Sequence, residues 1–443
     1  MEGHRRYGFM MGNTKLHQSN VNQQYAVVID IGAYKIKVCC VLFVGNDFVQ
    51  VIGCGEKETK GLSLDGSLSS LNLLQEAMSV AYSCATKGVS NTYHIKKLDT
   101  KNPRVLISVP GIKIKSKNNF GTCDVNHVEI NDRHLQLARD NAKSYSIENY
   151  DVIYSEDCTY EVDENKHVED PRGMVGGQLK VNTHLVYVES NFKANISKVV
   201  DSLIDTTYEH EFYFSGTASS YYSITEEDKK LGVCVFDIGA SSVDISIYAD
   251  DRILFTGSST MAGNALTKEL SILLGVPMDH AEEIKCSYGY AHRSRIRPEY
   301  IGKDIVISKN SNSENRVGFI ELQEMIASKY KDIFAQAFKK MNDINLDGFQ
   351  LGAGIVLTGG GALIPGVDVL LSEFINNDKI MVRTNSFESE KIRGMNVDKN
   401  PCEFSAVFGL SRLGSLIEPE LKDNKEKNNV FFKIKSFFNF LSK

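Results

Sequence analysis

The chain writes one pattern twice. "AVVIDIGAYKIKVCCVLF" runs from Ala26 to Phe43, and "VCVFDIGASSVDISIYADD" runs from Val233 to Asp251. Each is an apolar strand ending in Asp-Ile-Gly, a short turn, and a second apolar strand. Strands alternating with helices around both copies predict an α/β protein built from two related halves. The chain is 443 residues long, too long for one ordinary core.

The repeated turn has a chemical use. A phosphate chain needs close backbone approach, which glycine permits, and consecutive N–H donors, which a tight turn presents. It also needs a cation. A carboxylate at a strand end can hold Mg²⁺, mostly through water, because that ion keeps much of its hydration shell. Asp30 and Gly32, and again Asp237 and Gly239, meet these needs. Lys35 can reach phosphate oxygens. One Asp-Ile-Gly is an ordinary strand end; two in matched settings are a signal. A third element is "IVLTGGGALIPG", which puts Gly359, Gly360 and Gly361 between a buried strand and a helix. It lacks the spacing of GxGxxG and of the P-loop.

Elsewhere the pattern predicts strands over Tyr25–Ile31, Lys35–Val44, Asp47–Gly55 and Arg104–Val109. A helix is expected over Asp65–Lys87, where Leu68, Leu71, Leu74, Met78 and Ala81 make one stripe. Further helices are expected over Asp132–Lys143, Asn191–Asp205, Ala262–Leu274, Met278–Ser287 and Arg316–Met341. Net charge is -6, so nothing global suggests nucleic acid, whose binders usually carry a basic face. The nine cysteines show no metal-like spacing and read as reduced thiols; Cys39 and Cys40, adjacent in a strand, point to opposite faces. Residues 1–24 read as a mobile polar extension, without the apolar run of a secretory signal. Residues 418–429 read as a charged linker.

The last segment, "VFFKIKSFFNFLSK", is amphipathic as a helix. Val430, Phe431, Ile434, Phe437, Phe438 and Leu441 share one arc, flanked by Lys433 and Lys435; Phe432 and Phe440 fall outside it. It is too short to span a bilayer. A basic helix of this kind suits the interface, with its lysines near anionic headgroups.

The order and spacing of the three glycine motifs resemble the actin-like ATPase superfamily. Within it, the chain is most similar to the FtsA family of bacterial cell-division proteins, over most of residues 25–415. The blocks "SGTASSYYSITEEDKKLGVCVFDIG", "AGNALTKELSILLGVPMDHAEEIKCSYG", "AGIVLTGGGALIPG" and "FSAVFGLSRLG" carry the likeness, and "DPRGMVGGQLKVNTHLV" resembles the part specific to the division proteins. The resemblance implies an actin-like (ribonuclease H-like) fold with the nucleotide cleft between two lobes. It implies a first-lobe core at 25–109, completed by 184–214 and 385–417, and an inserted subdomain at 110–183. The second-lobe core would be 215–262, completed by 341–384, with a small subdomain at 263–340 and a membrane-targeting helix at 430–443.

It implies ATP and Mg²⁺ as cofactors. Asp30, Gly32 and Lys35 match the first phosphate hairpin; Asp237, Gly239, Ser241 and Ser242 match the second. Asp30 and Asp237 would hold the metal through water. Gly263 and Asn264 match the family's Gly-Asn, Glu282 and Lys285 the pair bordering ribose and base, and Gly359, Gly360 and Gly361 the adenosine turn. The family's second hairpin usually reads Asp-x-Gly-Gly-Gly-Thr, so Ala240 and Ser241 depart from it; their side chains either crowd the phosphates or, for Ser241, donate a hydrogen bond. No general base is assigned, and hydrolysis is expected to be slow at most. The implied partners are the C-terminal tail of FtsZ, docking within about Gly263–Lys340, further copies of the chain in a filament, anionic lipids and later division proteins. The implied location is the cytoplasmic face of the bacterial cell membrane at the septum, as a peripheral protein. The readings weighed against this are a sugar-kinase-like phosphotransferase and another actin-like bacterial filament. No kinase-type block with a carboxylate base is evident, and a kinase gains nothing from the tail.

Overall fold

The computed structural model describes residues 23–45, 48–90, 102–310, 313–342, 350–386, 391–394 and 399–417. Residues 1–22 of the N-terminal extension, the linker and the C-terminal amphipathic segment, with its eight named membrane residues, lie outside the described residues.

The first half begins with β1 (Gln23–Ile31), paired antiparallel with β2 (Lys35–Val44), which pairs with β3 (Phe48–Glu58). Gln23 and Gln24 belong to β1, two residues earlier than the sequence pattern indicates, because Val44 and Phe43 extend the ladder. The helix α1 (Leu71–Ser90) leads to β4 (Arg104–Val109), which returns parallel to β1. Helix α1 starts at Leu71 and not at Asp65. Asp65 instead accepts bonds from Ser63 Oγ at 2.6 Å and Ser67 N at 3.0 Å, and Gly66 has φ +81°. These local bonds satisfy the backbone as a turn and leave Leu68 outside the helical stripe.

An insert follows: β5 (Ile114–Glu129), α2 (Asp132–Lys143), β6 (Tyr150–Val162), β7 (Asn165–Val168) and β8 (Val175–Glu189), in sheet order β5-β8-β6-β7. Asn131 caps α2 by accepting from the amides of Arg133 and His134. The chain then re-enters the first half through α3 (Ser190–Asp201) and β9 (Glu211–Phe214). Helix α3 stops four residues short of the expected end, where Leu203 and Ile204 bond back to Val200 in a tightened turn. Helices α4 (Ser215–Ser223) and α5 (Glu226–Leu231) pass to the second half.

The second half repeats the first. Its β10 (Val233–Ile238) and β11 (Val243–Ala249) form an antiparallel hairpin, and β12 (Arg252–Ser259) pairs with β11. Then come α6 (Gly263–Leu274), α7 (Met278–Tyr288), β13 (Asp304–Asn310), β14 (Ser313–Gly318), α8 (Phe319–Asn342), β15 (Gly354–Thr358), α9 (Val367–Ile375) and β16 (Val382–Thr384). Residues 316–318, expected as the start of the long helix, are strand: Arg316 and Val317 pair with Val306 and Ile305, so α8 begins at Phe319. Strand β15 runs parallel to β10 as β4 does to β1. Finally β17 (Ile392–Gly394) and α10 (Ser405–Leu416) join the first half, where Phe408, Leu410 and Leu413 are in its core.

The central strands read as near-continuous apolar runs because both sheet faces are covered. The apolar side chains divide into two large cores, one per half, and two small ones, one inside the insert and one where Cys158 of the insert meets Val233, Val235, Tyr248 and Ile253 of the second half. The insert also touches the second half. Ser116 Oγ donates to Thr256 O, Asn118 Nδ2 donates to Leu254 O at 3.0 Å, and Cys158 Sγ meets Ile253 O at 3.1 Å. His184 sits in this seam between Asn118 Oδ1 at 2.6 Å and Thr256 Oγ1 at 2.9 Å. Strand β12 ends the second sheet, and this seam covers that edge.

Candidate functional site

Each central strand ends at the same place. Asp30 stands opposite Lys37 on β2 and beside Ser108 on β4; Asp237 stands opposite Asp244 on β11 and beside Thr358 on β15. The two Asp-Ile-Gly turns face one cavity of about 430 Å³ between the halves. Of the residues expected there, Asp30, Gly32, Lys35, Asp237, Gly239, Ser241, Ser242, Gly263, Glu282, Lys285, Gly359, Gly360 and Gly361 all line it. Asn264 does not. Its amide donates to Ala240 O at 2.7 Å, and its side chain donates to Leu64 O at 2.7 Å, on the first half.

In the first hairpin, Ser108 Oγ donates to Asp30 Oδ1 at 2.5 Å, and Lys37 Nζ lies 3.8 Å from Oδ2. Lys35 lines the cavity with its ammonium held by Glu403 at 2.9 Å and Glu56 at 3.4 Å. Burial opposes its charge, but the two carboxylates outweigh burial and raise its pKa. In the second hairpin Gly239 N donates to Ser242 O at 2.8 Å, and Gly263 N to Gly239 O at 3.1 Å, so the turn is tied to the start of α6. Asp244 is buried and accepts from Ser215 Oγ at 2.5 Å, Ser258 Oγ at 2.9 Å and Gly111 N at 3.3 Å. Burial raises its pKa despite these donors. Asp237 keeps some exposure to the cavity, yet burial, then Asp244 and Asp30, push its pKa up to about 8.

Glu282 and Lys285 are one unit. Lys285 Nζ donates to Glu282 Oε2 at 2.6 Å and to Thr267 Oγ1 at 2.9 Å, and Thr267 Oγ1 is 2.5 Å from the same carboxylate oxygen. Burial favours the acid form of Glu282, but Lys285 and the donors win and lower its pKa. Gly359 has φ +82°, and a Cβ there would stand 2.3 Å from Asp237 Oδ1. A Cβ on Gly361 would meet Ile238 Cγ2 at 2.3 Å, whereas one on Gly360 meets nothing within 4 Å. The turn thus lies against bare backbone with one glycine open to the cavity. Tyr330 fixes it by donating to Gly361 O at 2.7 Å.

Lys37, Ser215, Asp244, Tyr330 and Glu403 also line the cavity and were not foreseen. Two had a signal. Lys37 follows Lys35 by two residues on one strand, which places both on one face. Asp244 is a lone acid inside an apolar strand, directly across from Asp237. The other three come from distant segments and had none.

Two halves with matched hairpins about a cavity, and a glycine turn closing it, define an actin-like fold. The described fold is similar to a solved structure of the PilM-PilN type IV pilus biogenesis complex, with TM-score 0.57 and 16% identity over 88% of this chain and 98% of that one. The family model for cell division protein FtsA matches residues 234–407, and the model for the SHS2 domain inserted in that protein matches residues 111–187. The cell division protein FtsA of Neisseria meningitidis serogroup B is 26% identical, covering 90% of this chain and 92% of its own. That of Buchnera aphidicola subsp. Acyrthosiphon pisum is 27% identical, covering 93% and 96%. The chain belongs to the FtsA family of cell division proteins.

Proposed function

We propose that the chain binds ATP with Mg²⁺ in the cleft, polymerises on the cytoplasmic face of the cell membrane, and anchors the FtsZ ring there, helping to recruit later division proteins. The observation that carries this is the convergence of Asp30, Asp237 and the Gly359–Gly361 turn on one cavity. In this reading the two Asp-Ile-Gly turns hold the phosphates, Glu282 and Lys285 border the ribose and base, and the glycine turn takes the adenosine. Lys35 exchanges Glu403 and Glu56 for phosphate oxygens, and Lys37 adds a second cation.

The carboxylates present fit a dication. Asp237 carries a raised pKa because it is buried and faces two other acids, Asp244 and Asp30, against which Lys37 is the cation that lowers it. Mg²⁺ keeps much of its water, so two carboxylates would hold it mostly through that shell. Bound there, Mg²⁺ would neutralise phosphate charge; Asp30 and Asp237 would hold it. Asp244, bonded to Ser215, Ser258 and Gly111, keeps the second hairpin in place. No residue is assigned as a base, and turnover is slow at most.

Among the described residues no helix is long and apolar enough to cross a membrane, and the amphipathic segment 430–443 is the proposed anchor. FtsZ docks within the small second-half subdomain. There Glu321, Glu324 and Lys331 of α8 are exposed, while Lys329 is already paired with Glu269 at 2.6 Å. Titration calorimetry with ATP and Mg²⁺, and co-pelleting with FtsZ and anionic vesicles, test the proposal. The full chain should bind ATP and float with vesicles, and deleting 430–443 should abolish flotation alone. Absence of ATP binding refutes the cleft assignment; undiminished flotation of the deletion refutes the anchor. Rapid sugar-dependent turnover without vesicle recruitment would favour a phosphotransferase.

A further inference from the structure

Cys39 on β2 and Cys54 on β3 stand directly opposite each other in an antiparallel pair. Their Sγ atoms are 2.7 Å apart. Opposed residues in such a pair have Cα atoms about 4.5–5.5 Å apart, inside the roughly 4.4–6.8 Å that a disulfide spans. No other described cysteine shares this position. Cys40 points to the other sheet face, where Tyr25 Oη lies 3.2 Å from its sulfur. Cys84 of α1 is also on that side, its Cβ 2.8 Å from where Gly55 would carry one. Cys39 is fully buried and Cys54 only partly so. One thiol of the pair is therefore open to a small reagent, and its partner waits beneath it.

We propose that Cys39 and Cys54 form an oxidisable dithiol, a modification site for two-electron oxidants of the peroxide class. The thiolate of Cys54 attacks a peroxide oxygen; the O–O bond breaks, Cys54 becomes a sulfenic acid, and hydroxide leaves and is protonated to water. The sulfur of Cys39 then attacks the Cys54 sulfur, the S–OH bond breaks, and the Cys39 proton leaves with the hydroxyl as water. Two thiols and one hydrogen peroxide thus give one disulfide and two waters. Burial pushes the Cys39 thiol up, which leaves Cys54 as the entry point. The bridge ties β2 to β3 one side-chain step behind Lys37 and Glu56, on the same sheet face. The proposal stands whether or not the cleft takes ATP.

The test treats the full chain with graded hydrogen peroxide, removes the peroxide, unfolds the chain in urea with N-ethylmaleimide to block every remaining thiol, and digests with trypsin. No lysine or arginine lies between Lys37 and Lys57, so one peptide, Val38–Lys57, holds Cys39, Cys40 and Cys54. It should lose two hydrogens, carry a single maleimide on Cys40, and accept two more after reduction, three in all. Cys40→Ala should keep the loss; Cys54→Ser, at the more exposed position, should abolish it, as should Cys39→Ala. Two outcomes overturn the proposal. One is alkylation of both Cys39 and Cys54 after peroxide has consumed exposed Cys84. The other is a bridge that survives Cys54→Ser.

Discussion

Gly359→Ala puts one methyl group where the two halves of the site meet. Gly359 has φ +82° and ψ 170°, a region that is essentially glycine's own and costs a residue with a Cβ about 1–3 kcal/mol. The new Cβ would lie 2.3 Å from Asp237 Oδ1, 2.6 Å from Ile238 O and 2.8 Å from Ile238 N. Two of these three atoms are backbone of β10, the central strand of its sheet, and cannot step aside. Overpacking of this kind costs about 1–3 kcal/mol. The combined loss is about 2–6 kcal/mol. For a unit the size of one lobe that corresponds to a melting temperature lower by roughly 5–15 °C. Asp237 must also turn away, so ATP affinity should fall at least about tenfold.

Gly360→Ala is the matched control. A Cβ at Gly360 meets no atom within 4 Å, and its φ is ordinary. Thermal melting and calorimetric titration with ATP and Mg²⁺ read both effects. Gly360→Ala should melt with the wild type. If Gly359→Ala melts with it as well and binds ATP unchanged, the packing of the turn on Asp237 is not what shapes the site.

Lys37→Met keeps the alkyl stem and removes the charge 3.8 Å from Asp30; losing a charged donor costs about 1.5–3 kcal/mol, so calorimetry should show ATP binding weakened about tenfold or more and adenosine binding unchanged. Arg104→Met strands Glu211, which Arg104 holds by bonds of 2.8 and 2.9 Å in the first core, and should lower stability to urea by about 3–5 kcal/mol; adding Glu211→Leu should recover most of it. Burial pushes the His184 pKa from the ordinary 6.5 down to about 4. The unfolded chain therefore takes up the proton first, and stability is present above the ordinary value and lost as pH falls toward 4. Between pH 7 and 5 the loss is about 2 kcal/mol, so the unfolding free energy of His184→Gln, read from urea melts, should be less pH-dependent than that of the wild type by that amount.

The fold was legible where chain pattern and local chemistry agree. Strand β2 runs Lys35–Val44 and α2 runs Asp132–Lys143, as their patterns indicate. The failures have local causes. Asp65 and its serines offered bonds that outcompeted the first turn of α1. Arg316 and Val317 carry no helix-breaking residue before Gly318, so their pairing with β13 was invisible until the fold brought Ile305 beside them. The cavity was legible as two hairpins and a glycine turn, because each is a contiguous motif. Its walls were not. Glu403 reaches Lys35 across 368 positions, and Tyr330 reaches Gly361 from the middle of α8.

The departure of the second hairpin from the family's glycine run has a physical answer on the opposite side of the cleft. Ser241 is buried, and its Oγ is 2.9 Å from where Gly66 would carry a Cβ; Ile112 Cδ1 is equally close to that point. Gly66 is the apex of the turn that Ser63, Asp65 and Ser67 build, and its φ of +81° is one that a side chain resists. The hydroxymethyl group that the second hairpin gains thus fits against a residue with none on the first lobe. Asn264 reinforces the contact two residues away by donating to Leu64 O at 2.7 Å. Turn and hairpin are two halves of one interlobe joint. The same four residues that make α1 start late therefore also set how closely the lobes approach beside the cavity. A side chain at position 66 would push Ser241 toward the space between Asp30 and Asp237, at the cost of the strained φ as well.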